Sequence, residues 1–445
     1  MKAIIEDVKQ AGGSAFMVGG CVRDAIMGIP CKDIDIEVFG ISLDTLHDIL
    51  ERHGKASLVG ESFGVIKFVD NNGEDFDFSI PRKENNVGLG HKDFDIELCP
   101  DITLEEAASR RDFTINTVMK DFDGNVIDNF GGVSDLLNGR LEVTSERFSE
   151  DPLRVLRGMQ FCSRFMLQPT EHTIEVCKNM GGFDSISPSR LFSEFTKLLL
   201  KGKDIGLGLE FLRSTGWIKH FPALDNLVGL EQEKEWHPEG DVFTHTKLVC
   251  NAMVEICDRE GVTGDDKLVL MLAALLHDVG KACTTEVVNG KITSKGHAEA
   301  GVDIAREFLD SILCPHDIRD RVLPLVQEHM WSVPKPTLKN VGKLSNRLGK
   351  ATIPELLHVM EADMSGRTSL PKSKSENHNK VLELASELGV MDGTPKPLVM
   401  GRHLVEFMKP GPAMGKLLQE LFKRQLDREF TTVEEGVKLA MMLSS

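Results

Sequence analysis

Short runs of alternating apolar and polar residues mark the first part of the chain, and this alternation is typical of half-buried β-strands. On this basis Ala15–Val18, Ile34–Phe39 and Phe76–Ile80 are predicted strands. Thr103–Glu106 reads T-L-E-E, which is the capping box that begins a helix. The start of the chain is therefore predicted to mix strands with helices.

From about Asp151 onward the apolar spacing becomes helical. Ser187 followed by Pro188 predicts a helix start, with serine as the N-cap and proline in the first position. Leu268–Leu276 is apolar on all sides, which predicts a buried helix. The pattern indicates an α+β head, in which helices flank a small mixed sheet, followed by a mainly α-helical body.

Two polar, proline-containing breaks interrupt the helical body, at Trp331–Asn340 and Thr368–Asn379. Within this region Lys335–Lys350 is rich in basic residues, and it fits an RNA-binding patch or a solvated helix face equally well. The pattern predicts four parts, namely residues 1–140, 141–235, 236–367 and 368–445.

Composition limits the classes of function. The 445 residues carry a formal net charge of −17, so any RNA contact has to be a local basic patch. We predict no leader peptide and no membrane span, because no run near the start or elsewhere is long and apolar enough. The nine cysteines are scattered without a CxxC pair, which predicts a reducing, cytoplasmic environment.

The stretch Met17–Gly40, MVGGCVRDAIMGIPCKDIDIEVFG, suits a bound nucleotide. The glycine pair that ends at Gly20 lies between a predicted strand and a helix, where backbone N–H groups can approach phosphate, and Arg23 adds a charged fork. Residues two apart on a strand share a face, so Asp33 and Asp35 present paired carboxylates. Such a pair suits Mg²⁺ that is shared with substrate phosphates.

Asp33 and Asp35 alone would also fit solvated positions on an amphipathic strand. The order strand, Gly-Gly, helix, turn and D-x-D within one short stretch favours the metal site. We predict Asp77, on a neighbouring strand, as a third catalytic carboxylate, with an exposed strand residue as the alternative.

The segment Glu150–Arg157, EDPLRVLR, predicts a helix with Asp151 as its N-cap. Arg154 and Arg157 then lie one turn apart on one face. Because aspartate only accepts hydrogen bonds and arginine only donates them, the two side by side match the edge of cytosine or adenine but not that of uracil or guanine. A capped helix with an intrahelical Asp–Arg pair fits the same residues.

Histidine and aspartate recur at intervals in the helical body. The stretches are Trp236–Val249, Leu275–Ala282, Lys295–Gly301, Val326–Trp331 and Glu361–Arg367. A His-Asp doublet on a buried helix, joined by a distant histidine and a distant aspartate, can close one metal site. Each lone histidine also fits an internally satisfied polar group, but burying the doublet without a ligand is costly.

Three motifs occur in the order found in one family. They are Val18–Val38, Arg110–Asp121 and Glu150–Phe165. Together they resemble the class II tRNA nucleotidyltransferases, which are the CCA-adding enzymes and their poly(A) polymerase relatives in the polymerase-β-like superfamily. The resemblance implies a nucleotidyltransferase head in which Asp33 and Asp35 bind the metal. It implies nucleotide contacts from Gly20, Arg23, Arg111 and from a base-selecting set, Glu150, Asp151, Arg154 and Arg157.

The histidine and aspartate stretches resemble the HD phosphohydrolase superfamily. They also resemble bacterial CCA-adding enzymes with a C-terminal HD domain that acts on 2′,3′-cyclic phosphates, 2′-nucleotides or 2′-phosphates. The match implies the primary ligands His245, His277, Asp278 and Asp363. His297 and His329 would be further ligands or phosphate contacts, and Lys281 could neutralise a phosphate. Imidazole ligands predict a transition metal such as Ni²⁺, Mn²⁺ or Co²⁺.

The leading hypothesis is template-independent addition of C, C and A to tRNA 3′ ends from CTP and ATP, with phosphohydrolase activity at the HD site. A poly(A) polymerase, or an enzyme that adds only CC or only A, would share the head motifs. The intact D-x-D disfavours a phosphohydrolase with a merely nucleotide-binding head. The charge of −17 disfavours a non-catalytic RNA-binding module. The predicted partners exclude DNA and membranes, and the oligomeric state stays open.

Overall fold

The computed structural model describes residues 1–31, 33–59, 64–86, 94–368 and 377–444. The chain forms two compact units, Met1–His220 and Phe221–Ser445. The division into four parts made from the sequence stays a prediction. No helix among the described residues combines the length and apolar composition needed to cross a membrane.

A mixed sheet lies at the centre of the first unit. Its seven described strands are ordered β3-β4-β5-β2-β1-β8-β9, and only β2 and β5 are parallel. Their bounds are β1 Ser14–Val18, β2 Ile34–Phe39, β3 Gly54–Leu58, β4 Val65–Asp70, β5 Asp75–Ser79, β8 Met119–Asp121 and β9 Val126–Ile127. Two short pairs lie outside this sheet, β6 Arg82–Asn86 with β7 Phe94–Leu98, and β10 Arg140–Leu141 with β11 Gln168–Pro169. The predicted mixed sheet is confirmed.

Nine described helices accompany these strands. They are α1 Lys2–Gln10, α2 Gly20–Ile26, α3 Leu43–Glu51, α4 Leu104–Ser109, α5 Gly132–Leu137, α6 Leu153–Phe165, α7 Glu171–Asn179, α8 Pro188–Lys201 and α9 Ile205–Ser214. Thr103 accepts a hydrogen bond from the backbone of Glu106 at the start of α4, as the capping pattern predicts. Ser187 is the N-cap of α8 and Pro188 is its first residue.

Alternation along β2 and β5 separates a core face from a polar face. Ile36 and Phe78 are fully buried in the core beneath the sheet, and the intervening Asp35 and Asp77 take the other face. The predicted strand at 76–80 is displaced by one residue, since β5 ends at Ser79. This alternation places both carboxylates on the polar face of the sheet.

The second unit is mainly helical. Its described helices are α10 Pro222–Asp225, α11 Val242–Glu260, α12 Gly264–Leu276, α13 Lys281–Thr284, α14 His297–Ser311, α15 His316–Glu328, α16 Leu338–Leu348, α17 Ile353–Gly366, α18 His378–Leu388, α19 Pro412–Leu426 and α20 Val433–Ser444. One hairpin joins β12 Glu286–Val288 and β13 Lys291–Thr293.

The predicted buried helix is confirmed, because every residue of Leu268–Leu276 is buried and α12 packs against α11, α15 and α17. The break predicted at Trp331–Asn340 is too long by three residues. Thr337 accepts a hydrogen bond from the Asn340 backbone and begins α16 at Leu338. Most of the second predicted break, residues 369–376, lies outside the described residues.

Candidate functional site

The turn between β1 and α2 requires glycine at position 19. Gly19 has φ +68°, and a Cβ there would lie 2.7 Å from the Arg111 guanidinium. Gly20 is the first residue of α2 and, like Gly19, lines a cleft in the first unit. A side chain at position 19 would therefore obstruct both the turn and the arginine beside it.

Arg23 lines the same cleft, is buried, and donates to protein partners from all three guanidinium nitrogens. Its Nε and NH2 donate to Asp24 Oδ1 at 2.8 and 2.6 Å, and NH1 donates to Asn116 Oδ1 at 2.6 Å. Burial lowers the pKa of Arg23, and Asp24 opposes that effect. Asp24 and Asn116 thus orient Arg23, a role that the sequence did not reveal.

Two of the three predicted catalytic carboxylates lie opposite each other. Asp35 on β2 is in register with Asp77 on the parallel strand β5, and Lys67 Nζ lies 3.5 Å from Asp77 Oδ1. Strand β2 begins at Ile34, as predicted, and Asp33 is the residue before it, so Asp33 and Asp35 are not two positions of one strand.

The electrostatics of this carboxylate group suit a cation. Removal from water raises the pKa of Asp35, and the charges of Asp77, Asp33 and Glu37 raise it further, against the opposing effect of Arg111. In the part of the chain that the structure describes, none of these aspartates belongs to a group of three or more potential metal ligands with donor atoms within 4.8 Å of one another. Their hard oxygen donors nevertheless fit Mg²⁺, which takes few protein ligands and completes its shell with water and phosphate.

Arg111 spans from the β-sheet to the segment after α4. Its NH2 donates to Glu37 Oε2 at 3.1 Å, and its NH1 donates to the Asn116 carbonyl at 3.2 Å. Glu37 lies two residues after Asp35 on the same face of β2. That alternation was visible in D-I-D-I-E, but nothing in the sequence indicated that Glu37 would anchor an arginine.

The start of α6 differs from the prediction in its cap and in its pairing, because the helix begins at Leu153 with Pro152, and not Asp151, as its N-cap. Asp151 Oδ1 accepts from the Leu153 backbone at 3.0 Å, and Oδ2 accepts from Arg190 of α8 at 2.7 Å. Arg154 donates instead to the carbonyls of Arg147 and Arg110, at 2.6 and 2.7 Å. Within the described residues no side-chain hydrogen bond joins Asp151 to an arginine of its own helix, so the intrahelical pair is wrong.

Arg157 completes a buried network. Its Nε donates to Asp112 Oδ2 at 2.6 Å, and Asp112 Oδ1 accepts from Asn116 Nδ2 and from the Phe113 backbone, each at 2.8 Å. Burial by itself raises the pKa of Asp112, but Arg157 and these donors outweigh it and hold that pKa below its usual range. Asn116 thereby connects Asp112 to Arg23.

A cavity of about 510 Å³ lies among these side chains, and we call it the head cleft. Gly19, Asp35 and several residues of α6 line it. Asp151, Arg154 and Arg157 all line it. Nine arginines and lysines face only three aspartates in its lining: Arg23, Arg110, Arg111, Arg154, Arg157, Arg164, Arg190, Lys197 and Lys201, with Asp35, Asp112 and Asp151. The cleft is therefore a local positive patch on an acidic protein.

A second cavity of about 440 Å³ adjoins the head cleft. Asp35, Arg110, Arg111 and Arg154 line both cavities, whereas Asp77 and Glu150 line only the second. Asp35 thus borders two spaces. That arrangement suits a group that acts between two substrates.

The second unit holds the histidine–aspartate cluster, formed by His245, His277, Asp278, His297, His329 and Asp363. His245 Nε2 lies 3.0 Å from Asp363 Oδ1 and 3.7 Å from Asp278 Oδ2, and His277 Nε2 lies 3.2 Å from Asp278 Oδ2. His277 Nε2 is buried and makes no hydrogen bond within the described structure, and it faces the buried Asp278 carboxylate. A buried imidazole nitrogen that faces carboxylates fits a metal ligand.

Backbone carbonyls orient three of the imidazoles. The Nδ1 atoms of His277, His297 and His329 lie 2.7–2.8 Å from the carbonyls of Ala274, Ser294 and Val326. This leaves each Nε2 directed at the cluster. The sequence predicted that the His-Asp doublet lies on the buried helix, but α12 ends at Leu276 and the doublet follows it.

His297 and His329 also face Asp278, with Nε2 atoms 3.2 and 3.8 Å from its Oδ1. Lys281 Nζ lies 2.7 Å from Asp278 Oδ2 and donates to Gln232 Oε1 at 2.7 Å. Burial lowers the pKa of His329 to about 4. All seven side chains predicted for this site are therefore brought together.

Glu239 is a member of this site that the sequence reasoning missed. Its Oε1 lies 2.8 Å from His245 Nδ1 and 2.9 Å from His237 Nδ1, and its side chain is almost entirely buried. Burial lowers the pKa of His245, but hydrogen bonds to Asp363 and Glu239 outweigh it and raise that pKa to about 9. A carboxylate behind a ligating histidine is a common supporting contact, and the acid in HPEGD could have suggested it.

Comparisons with known proteins match two regions of the chain. The poly A polymerase head domain family matches residues 15–142, and the HD domain family matches residues 242–364. The multifunctional CCA protein of Methylobacillus flagellatus is 30% identical over 388 residues, which cover 85% of this chain and 90% of that protein. The protein of the same name from Halorhodospira halophila is 32% identical over 365 residues, which cover 79% and 83%.

The crystal structure of the Bacillus stearothermophilus CCA-adding enzyme in complex with CTP has the same fold. Its TM-score is 0.68 at 20% sequence identity, covering 99% of this chain and 96% of that one. The sequence relatives span the head and the second unit together, so the match is not confined to one domain. The chain therefore belongs to the family of the multifunctional CCA proteins, a family of nucleotidyltransferases.

Proposed function

We propose that the head cleft adds C, C and A to the 3′ end of tRNA from CTP and ATP. The observation that carries this proposal is the meeting of nine cationic side chains with Asp35 of β2 in one cleft, beside the cavity that Asp35 shares with Asp77. In the reaction the 3′-hydroxyl of tRNA attacks the α-phosphate of the nucleotide, a new phosphodiester bond forms and pyrophosphate leaves. Family membership favours CCA addition over poly(A) synthesis.

The carboxylates and the arginines have different tasks in this reaction. Asp35 and Asp77, with Asp33, would hold Mg²⁺, which when bound activates the attacking hydroxyl and neutralises charge on the phosphates. Arg23 and Arg111 bind the triphosphate as preformed charged forks, because Asp24, Asn116 and Glu37 already hold them in place.

Asp151 and Arg154 select the base. The two guanidinium nitrogens of Arg154 that donate to carbonyls each carry a second N–H, which stays available to the acceptor nitrogen of cytosine or adenine. Asp151 can accept from the exocyclic amino group of the same base. Uracil and guanine present the reverse order of donor and acceptor, so the pair rejects them.

Single-nucleotide assays test this proposal. Purified protein is incubated with tRNA that lacks its 3′ end and with each labelled NTP singly and in pairs, and the products are sequenced. We expect two cytidines from CTP alone and a complete CCA end from CTP with ATP. Long adenosine tails, or addition of only CC or only A, would overturn CCA specificity.

We further propose that the histidine–aspartate cluster hydrolyses 2′,3′-cyclic phosphates and 2′-phosphates at RNA ends. The buried His277 Nε2, which makes no hydrogen bond and faces the Asp278 carboxylate, supports a metal there, which would supply an activated water. The set that would hold it is His245, His277, Asp278 and Asp363, and the imidazoles favour Ni²⁺, Mn²⁺ or Co²⁺. Release of inorganic phosphate or of the ring-opened ester across a metal series tests this activity. Absence of hydrolysis with every metal would overturn it.

The nine cysteines are all described and all free. Unpaired thiols support our proposal that the protein works in a reducing, cytoplasmic environment.

A further inference from the structure

A third cavity, of about 350 Å³, opens onto the histidine–aspartate cluster. Asp278, His297 and Asp363 line it, together with the cationic side chains of Lys281, Lys295 and Arg367. Trp236 belongs to the same lining. An aromatic ring thus lines the same cavity as residues of the histidine–aspartate cluster. The volume of the cavity falls in the usual range of small-molecule sites.

Trp236 is exposed, unlike the other tryptophans. The chain has three tryptophans, all within the described residues. Trp217 is 1% exposed and belongs to the core, Trp331 is half-buried, and Trp236 is 58% exposed. Core packing therefore explains Trp217 but does not explain an indole at position 236.

The backbone that carries Trp236 is held at both sides. The backbone N–H of Trp236 donates to the Glu233 carbonyl at 3.0 Å. The Glu233 side chain in turn accepts, through Oε2, from the backbone N–H of Ile292 in the β-hairpin at 3.1 Å. On the other side His237 is anchored to Glu239. The indole therefore projects from a fixed segment, which limits the conformational entropy lost when a ligand stacks on it.

We propose that Trp236 is a stacking platform for the base of the nucleotide whose phosphate enters the histidine–aspartate cluster. The proposal rests on the phosphohydrolase function proposed above and names its ligand as a ribonucleoside 2′,3′-cyclic phosphate or 2′-phosphate of any base. Every base has a π-face, so stacking on an indole tolerates all four. Lys295 is exposed at the cavity and supplies positive charge for the backbone phosphate on the 5′ side of an RNA end.

Kinetics with matched substrates test the stacking. The substrates are the four nucleoside 2′,3′-cyclic phosphates and an abasic analogue, methyl ribofuranoside 2,3-cyclic phosphate. Trp236→Ala is expected to raise KM for all four nucleotides by roughly 5- to 150-fold, with kcat and the abasic substrate unchanged. Trp236→Phe retains an aromatic face and should restore most of the affinity. Equal loss for the abasic analogue, or no change for the nucleotides, would overturn the proposal.

Trp331→Phe provides the control, because Trp331 lines a neighbouring cavity and not this one. Fluorescence gives a readout that needs no turnover. Adenosine 2′-monophosphate should quench indole emission in Trp331→Phe but not in Trp236→Phe, and equal quenching in both would overturn the proposal. If the wild-type protein hydrolyses no cyclic phosphate with any metal, the phosphohydrolase function fails, and the quenching result alone then decides whether Trp236 stacks a base.

Discussion

The head cleft and the histidine–aspartate cluster satisfy their charged groups in opposite ways. In the cleft, cationic side chains outnumber acids and are held by carbonyls, an amide and single carboxylates, with N–H groups left over. In the cluster, histidines and carboxylates face one another in a buried space, and His277 Nε2 makes no hydrogen bond in the described structure. The first arrangement suits an anionic substrate that arrives with its own cations, and the second suits a resident metal.

The difference extends to the metals. The aspartates of the head offer only oxygen on a partly exposed sheet face, which suits Mg²⁺ shared with phosphates. The cluster offers imidazole nitrogen with its tautomer set by backbone carbonyls, which suits transition metals. Two separate reactions are therefore expected from one chain. We expect that a substitution at one site abolishes only the reaction of that site.

The largest effect is expected from Asp35→Ala or Asp33→Ala. Each should reduce nucleotide addition by roughly a thousandfold or more, because metal-borne charge stabilisation is lost. Hydrolysis of cyclic phosphate should persist. Asp75→Ala is the control, since Asp75 is an exposed carboxylate on β5 two residues from Asp77. Near-normal addition by a folded Asp35→Ala protein would remove Asp35 from the catalytic site.

His277→Ala or Asp278→Ala should produce the reverse pattern. Hydrolysis with Ni²⁺, Mn²⁺ or Co²⁺ is expected to fall by roughly several hundredfold, while CCA addition with Mg²⁺ continues. His316→Ala is the control because His316 is exposed at the start of α15. Loss of both activities in a variant that still unfolds cooperatively would contradict the separation of the two sites.

Asp112→Asn tests the network beneath the head cleft. It should lower the free energy of unfolding by about 3 kcal/mol at pH 7, because Arg157 loses its buried partner. The folded-state pKa of Asp112 is lowered, so its stabilisation is present above the unfolded value and is lost as the pH falls through the folded one. The difference from wild type should therefore narrow below about pH 4.

Urea denaturation measures this difference. Asp123→Asn is the control, since its ion pair with Lys9 is exposed and should change stability by about 0.5 kcal/mol or less. A similar effect from both substitutions would show that the Asp112 pair is not exceptional.

Asp151→Ala should weaken base discrimination. The preference for CTP and ATP over UTP and GTP is expected to fall by roughly 10- to 100-fold, because this ratio corresponds to the free energy of one hydrogen bond to a charged group. Competition assays with mixed NTPs measure the ratio, and exposed Asp184→Ala is the control. A uniform loss of rate for all four nucleotides would make Asp151 a structural cap that only anchors Arg190.

The smallest effect concerns the basic cluster of α16. Lys339 and Lys343 both pair with Asp427, at 2.7 and 2.5 Å, so one of their two positive charges is already compensated. Joint replacement by alanine should change the Kd for tRNA by less than about threefold. Lys201→Ala in the head cleft should instead reduce the slope of log Kd against log salt concentration by about one, because one phosphate contact is lost. Filter binding across a salt series compares them, and equal losses would place the tRNA contact in α16 as well.

Local features of the molecule were predictable from the sequence. The strand alternation of β2, the Thr103 and Ser187 helix starts and the burial of α12 depend on neighbours within one or two turns, and the structure agrees with them. Boundaries were less certain, as the one-residue displacement of β5 and the early start of α16 illustrate, because single hydrogen bonds decide where an element ends.

Partnerships between distant residues were decided only by the tertiary structure. Asp151 binds Arg190 and not its helical neighbours, and Arg23 is held by Asn116 far along the chain. Glu239 gained its place behind His245 in the same way. In the sequence, each of these groups had several possible hydrogen-bond partners. Which of them lies within hydrogen-bond distance depends on how helices and strands pack, and burial then makes that one partner obligatory.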